Sequence, residues 1–166
     1  VELAGLSAPE LVRQYGSPLY VVDQADFEAR LEKVRSAFEV AAKQAGTSVK
    51  LYYASKELLT TEIARWVVEA GYAIDVSTGG ELAVALAAGT GGDRLGVHGN
   101  NKSLVEIGRA VSADVSAIVI DSEIEIERIA SIAGAQDKIQ PVRLRVNSGV
   151  HASTHEYLAT AREDQK

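Results

Sequence analysis

The chain has no cysteine, which excludes a disulfide framework and any thiolate metal site and fits a reducing cytosol. Its apolar residues never run for the roughly 20 positions that a membrane-spanning helix needs. Nothing near Val1 combines a basic stretch, an apolar run and a cleavage site, so neither a membrane nor the secretory route is expected. Positive charge is in deficit, with 17 Lys and Arg against 23 Asp and Glu and a net charge of -6. Without a basic stripe to neutralise phosphates, nucleic acid is not expected as a partner. No strand-like run is followed by GxGxxG or a Walker loop, and the spacing of His98, His151 and His155 matches no zinc signature. What remains is a 166-residue chain, 46% hydrophobic and 24% charged, with the make-up of a globular protein built on one core. Small metabolites are the default partners. The chain starts at Val1 rather than at a methionine and stops at Lys166 after a polar stretch, so a fragment of a longer protein is expected.

Apolar strand-like runs begin near Val49, Tyr72, Arg94, Ala117 and Pro141, roughly 23 residues apart, with a helical pattern between each pair. Ile63, Trp66, Val67 and Ala70 fall on one helical face, as do Leu82, Ala85 and Leu86, and Ile126, Ile129, Ala130 and Ala133. Thr78 with Glu81, Ser103 with Glu106 and Ser122 with Glu125 each set a hydroxyl three residues before a carboxylate, the capping-box arrangement of a helix start. Such alternation implies parallel strands joined by right-handed crossovers, in either a doubly wound open sheet or a closed barrel. The regularity of the units favours an α/β parallel (β/α)8 barrel of the TIM type, incomplete here at about five β/α units. Ahead of the repeat, Ser7, Pro9 and Glu10 form a helix start and SPLYVVD (Ser17 to Asp23) reads as a strand. Phe27, Leu31, Val34, Phe38 and Ala41 then line one face of a long helix.

In a parallel barrel the site lies at the carboxyl ends of the strands. If Lys56 points inward, so do Tyr52 and Ala54, and the matching ends elsewhere are Asp75 and Ser77, His98, Asp121, and Arg145 with Asn147. Lys56 ends LYYASK, where an apolar strand would desolvate its ammonium and favour the neutral amine that condenses with an aldehyde. A lysine that ends a strand and reaches solvent fits that position too. Asp75 ends YAID, and Gly79 and Gly80 after it let the backbone turn into a helix whose amino terminus can hold an anion. Glu81 can be catalytic or simply complete the capping box with Thr78. HGNNK (His98 to Lys102) gathers donors and acceptors for a polar ligand, though Asn and Gly are also ordinary turn formers and His98 can be structural. Arg145 suits a carboxylate or phosphate at the mouth, or a structural ion pair with Asp75 or Asp121. Asp121 can belong to that mouth or simply steady the turn before its helix.

Together these segments resemble the diaminopimelate decarboxylases, pyridoxal phosphate (PLP) enzymes with an alanine-racemase-like barrel and a separate β domain. The resemblance runs over nearly the whole chain through SPLYVVD, YYASK, AIDVSTGGEL, HGNNKS, IVIDSEIEIERI, RLRVNSGV and THEYLATAREDQK. HGNNKS discriminates best, because ornithine and arginine decarboxylases differ at that turn, whereas YASK alone indicates only a PLP barrel. Glu57 stands where a small or apolar residue is commoner, Gly91 and Gly92 where an aromatic or proline is usual, and Ser148 where proline is frequent.

The resemblance implies that Lys56 binds PLP covalently, with Asp75, Glu81, His98 and Arg145 near the cofactor. It implies that residues 1–25 contribute a strand to the β domain and that 26–166 are a truncated PLP-binding barrel domain. The ring-stacking histidine, glycine-rich phosphate loop, acid at the pyridine nitrogen and β domain are then expected beyond Lys166. The implied reaction removes the carboxylate from the D-configured carbon of meso-2,6-diaminopimelate, giving L-lysine and carbon dioxide, in a cytoplasmic enzyme that is a homodimer when full length. Other readings are a PLP decarboxylase of another amino acid, a racemase-like enzyme, or a non-catalytic PLP-binding barrel protein.

Overall fold

A computed structural model describes residues 1–146. Asn147, Ser148, His151, His155 and the THEY and EDQK segments lie outside the described residues. The chain opens with a small antiparallel hairpin, β1 (Glu2–Leu3) and β2 (Leu6–Ser7). Ala4 and Gly5 turn between them at φ 50° and 78°, the paired positive values of a two-residue hairpin turn. Helix α1 (Ala8–Tyr15) starts after Ser7 with Pro9 in its first turn, where a missing N–H costs nothing. Residues 17–23 form no strand. Tyr20 there is 97% exposed, and no described segment offers these residues a ladder to join.

Helix α2 (Gln24–Gln44) is capped by Asp23, which accepts from the Asp26 amide. Of its expected apolar stripe only Leu31 is buried, while Val34 and Phe38 face solvent. Phe27 packs edge-on against Tyr53, with ring centroids 5.9 Å apart, and lies 6.0 Å from Trp66. The β/α repeat follows as β3 (Tyr52–Ala54), α3 (Thr61–Glu69), β4 (Ala73–Val76), α4 (Gly79–Ala87), β5 (Leu95–Val97), α5 (Leu104–Ser112), β6 (Ala117–Ile120), α6 (Glu123–Ala135) and β7 (Val142–Leu144).

All five strands of the repeat are parallel, and their order in the sheet is their order in the chain. A doubly wound sheet reverses direction part-way; this one never does, which is the order of a barrel wall. One strand face carries Ile74, Val76, Leu95, Ile118 and Ile120 into a core shared with Ile63 and Val67 of α3, Leu82 of α4 and Ile107 of α5. Ile74, Leu95 and Ile118 are fully buried, each contributing about 1.5–3 kcal/mol from burial.

The expected helix faces hold for α3, where Ile63 and Val67 are buried, and for α4, where Leu82 and Ala85 are buried. In α6 the buried line is Glu125, Ile129 and Ala133, whereas Ile126 is exposed. The helix is turned about one residue from the face its apolar residues suggest, because Glu125 is drawn inward by an ion pair described below.

Gly92 has a steric reason to be glycine. A Cβ there would lie 1.8 Å from the Ala113 carbonyl oxygen and 2.6 Å from that of Asp114, and the Gly92 carbonyl accepts from the Ser116 amide at 2.9 Å. The clash is with backbone, which cannot swing aside. Gly92→Ala is therefore expected to destabilise the fold by about 2 kcal/mol or more, measured as a lowered urea midpoint at unchanged slope.

Candidate functional site

The inner strand face carries the residues whose parity opposes the core. On β3 this is Tyr52 and Ala54, leading to Lys56; on β4, Asp75, leading to Ser77; on β5, Gly96, leading to His98. On β6 it is Ala117 and Val119, leading to Asp121, and on β7, Arg143, leading to Arg145. The expected residues thus fall at or just after the carboxyl ends of neighbouring strands, apart from Asn147, which lies outside the described residues.

Three charged contacts link these ends. Asp121 Oδ1 lies 2.5 Å from Arg145 Nε, with the Asp121 side chain only 5% exposed. Arg145 Nη2 lies 3.4 Å from His98 Nδ1, and His98 Nε2 lies 3.2 Å from Asp75 Oδ1. A guanidinium can only donate. A hydrogen bond in that contact therefore takes His98 Nδ1 as acceptor and assigns the Nε2–H tautomer; the approach of Nε2 to Asp75 is within ion-pair distance but lacks hydrogen-bond geometry. Of the two open readings of Arg145, the ion pair with Asp121 is the one seen among the described residues.

Lys56 sits in the turn directly after β3, where the Ser55 amide donates to the Asp75 carbonyl at 3.0 Å. Lys56 is exposed, so the described residues do not provide the apolar enclosure expected of it. The strand before it is only partly buried, and β3 is an edge of the described sheet.

Glu81 bends back to its own turn. Its carboxylate accepts from the Ser77 amide at 2.6 Å, while the Glu81 amide donates to Thr78 Oγ1 at 3.1 Å. The Gly79 amide donates to Glu106 Oε1 at 2.8 Å. The anion seat anticipated at the start of α4 is thus occupied by the protein's own carboxylates. Of the three expected capping boxes, Ser103 with Glu106 is the one that is fully reciprocal. Hydrogen bonds from the Ser103 amide, the Ser103 hydroxyl and the Gly79 amide hold the Glu106 carboxyl below the usual glutamate range. A depressed folded value means that this tie stabilises fully above the unfolded value and is lost as pH falls through the folded one. Glu106→Gln is expected to flatten that acid limb in a stability profile measured against pH.

Lys102, expected among the ligand donors, points elsewhere. Its ammonium is 2.9 Å from Glu125 Oε2, with side-chain exposures of 3% and 2%, and it donates to the Gly99 carbonyl at 2.5 Å. Sequence reasoning assigned Lys102 to a ligand and Glu125 to a cap. The one available signal was the apolar neighbourhood of Glu125 in EIEIERI.

Deeper on the inner face, Arg143 Nη2 donates to Tyr52 Oη at 2.9 Å and the guanidinium stands 5.1 Å from the ring centroid. Burial pushes the Tyr52 phenol up, but hydrogen bonds with Ser116, Arg143 and Lys50 outweigh it and leave the phenol below its ordinary value. Gly96 makes room at this level, because a Cβ there would lie 2.4 Å from Asp75 Oδ1 and 3.4 Å from Tyr52 Cε1.

Residues 27–166 match the family model described as pyridoxal-dependent decarboxylase, pyridoxal binding domain. The chain belongs to that family. It is 47% identical over 164 residues to the diaminopimelate decarboxylase of Mycobacterium leprae, a match covering 99% of this chain and 33% of the relative. The Mycobacterium tuberculosis enzyme of that name is 46% identical over 99% of this chain and 35% of its own length. Among solved structures, diaminopimelate decarboxylase from M. jannaschii in complex with L-lysine aligns at a TM-score of 0.82, with 27% identity over 97% of this chain and 37% of that one. The chain thus spans about a third of the length of the curated relatives it matches. Its five parallel strands are the incomplete barrel wall of a pyridoxal-dependent family.

The donor set suits pyridoxal phosphate. Lys56 offers an exposed primary amine in the turn after β3, and Asp75 Oδ1 is buried without a formed hydrogen bond among the described residues, with His98 Nε2 approaching it to 3.2 Å. A Cβ on Gly96 would lie 2.4 Å from that oxygen, so the glycine is what admits the Asp75 carboxylate to this face. No group of three or more metal-ligating side chains occurs among the described residues, and none of their helices is long and apolar enough to cross a membrane.

Proposed function

We propose that this chain is the cofactor-lysine portion of an enzyme that decarboxylates meso-2,6-diaminopimelate to L-lysine and carbon dioxide. The carrying observation is that a chain close to half identical to diaminopimelate decarboxylases has an exposed amine, Lys56, in the turn after β3, while Asp75, His98 and Arg145 meet at the ends of other strands in the same sheet. When bound, pyridoxal phosphate supplies an aldehyde for amines and a sink for the electron pair left as carbon dioxide departs.

The chain's own residues bind and position. Lys56 Nζ would hold the cofactor covalently, and as a free amine it could carry a proton at the same place. Asp75 and His98 line the same mouth, and Arg145 adds positive charge balanced by Asp121. Glu81 supports the site by holding the turn after β4 rather than by reaching across it. Residues 1–25 belong to a β domain in this reading, 26–166 to the barrel, and the working enzyme is a cytoplasmic homodimer.

The test is a chain completed to the relatives' full length, supplied with PLP and offered meso-diaminopimelate, ornithine, arginine and lysine. Carbon dioxide and lysine should form from diaminopimelate with strong preference. Preference for another amino acid would move the enzyme to a sister activity. Cofactor binding with no turnover on any of them would indicate a non-catalytic carrier. In the same completed chain, Arg145→Ala is expected to weaken PLP or substrate binding by about 2 kcal/mol, the low end for removing one partner of a buried pair. The low end applies because Arg145 is 34% exposed. Unchanged affinity and turnover would leave Arg145 a structural residue.

A further inference from the structure

The contacts at the mouth close on themselves. Glu125 Oε2 accepts from the Asp121 amide at 3.0 Å and from Lys102 Nζ at 2.9 Å. Asp121 holds Arg145 at 2.5 Å, and Arg145 reaches His98 at 3.4 Å. From His98 the backbone passes to Gly99, whose carbonyl accepts from Lys102 Nζ at 2.5 Å, and Lys102 returns to Glu125. The circuit spans the ends of β5, β6 and β7. Two of its members, His98 and Arg145, are about a third exposed at 30% and 34%, whereas the Lys102–Glu125 pair that closes it is buried.

We propose that Lys102 and Glu125 are positioning residues: their buried pair fixes the His98 imidazole and the Arg145 guanidinium relative to each other and to Asp75, without touching the ligand themselves. Two observations support a role beyond stability. A buried ion pair is a poor stabiliser compared with well-packed apolar residues of similar volume, so stability alone does not call for one here. Glu125 also spends both oxygens on site elements: Oε1 accepts from the Lys102 amide at 3.4 Å, and Oε2 accepts from the Asp121 amide in addition to pairing with the Lys102 ammonium. Glu81 holds the Ser77 amide from the corresponding place in the β4–α4 unit, but it has no ion-pair partner among the described residues. The buried lysine is the addition, and it lands on the loop that carries His98.

The inference rests on His98 and Arg145 belonging to the cofactor site. The decisive comparison uses Lys102→Met/Glu125→Gln in a chain completed to the relatives' length. This double change removes both charges together and keeps an acceptor for the Asp121 amide. Thermal unfolding should stay close to that of the parent chain, since no charge is left orphaned. The ¹⁵N resonances of the His98 imidazole, identified by their loss in His98→Gln, should move from a single Nε2–H tautomer towards an averaged pair. Turnover should fall roughly 10- to 100-fold, the scale for small misplacements of a site. Parent-like imidazole resonances in a folded double variant would overturn the proposal. If the double variant does not fold, Glu125→Gln is read by the same resonances, and an unmoved pattern there overturns it equally. The nitrogen spectrum needs no cofactor, so failure of the PLP assignment and failure of the brace give different results.

Discussion

Lys56→Ala should abolish covalent attachment of PLP and reduce turnover by roughly 10²- to 10⁴-fold, the range for removing a positioned proton-transfer group. The expectation follows from how the other lysines are used. Lys50 donates to the Asp93 carbonyl at 2.9 Å and stands 5.3 Å from the Tyr52 ring centroid. Lys102 is locked in its buried pair. Lys138 donates to the Val111 and Ser112 carbonyls at 3.0 and 2.9 Å, completing the carboxyl end of α5. Of the turns that follow the strands of the repeat among the described residues, only the one after β3 presents, in Lys56, a primary amine that no described contact already engages. Borohydride reduction of the completed, PLP-loaded chain should therefore leave the pyridoxyl group on the peptide containing YYASK. A label on Lys50 would show that the cofactor sits lower in the barrel than proposed. A label on Lys102 would contradict both the assignment and its burial.

Lys102→Met alone should cost about 3–5 kcal/mol of stability, because it strips the partner from a carboxylate that remains buried. Glu125 is 1% exposed and has no route to water without moving the start of α6. The loss is read as a lower urea midpoint at constant slope. Adding Glu125→Gln should restore most of it, and the difference between the two measurements gives the cost of the unpaired charge. A single variant within about 1 kcal/mol of the parent would mean that α6 lets Glu125 out to solvent at little cost, as a surface pair would.

The strand positions were legible because each unit repeats the same physical problem. An apolar run must be followed by a turn, a capped helix and the next run, so Tyr72, Arg94, Ala117 and Pro141 each fall within a residue of an observed strand start. Side-chain parity from Lys56 then brought Asp75, His98, Asp121 and Arg145 to one mouth with no knowledge of the structure. Less legible was whatever depends on a partner far along the chain. The face of α6 was misjudged because periodicity treats Glu125 as an outward residue, and only Lys102, 23 positions earlier, makes it an inward one. The same blindness placed Lys102 among ligand donors. SPLYVVD has the composition of a strand, but a strand exists only against a neighbour, and no described segment provides one. Exposure of Lys56 was equally hidden, since desolvation depends on what covers β3 rather than on β3 itself. The hairpin at Leu3 and Leu6 escaped notice because two-residue strands carry no periodicity to read.

Because strands add to the sheet in chain order, each new strand finds its partner in the one made just before it. Contacts of that kind are short in sequence and quick to form, so this portion can assemble as it leaves the ribosome, unit by unit, without waiting for later segments. The cost falls on the newest strand. Val142 and Leu144 of β7 are 44% and 67% exposed, whereas their counterparts on β6, Ile118 and Ile120, are 0% and 6%. Until a further strand pairs with it, β7 presents an apolar ledge and an unpaired edge together, so in a wall built this way each strand is protected by the arrival of the next.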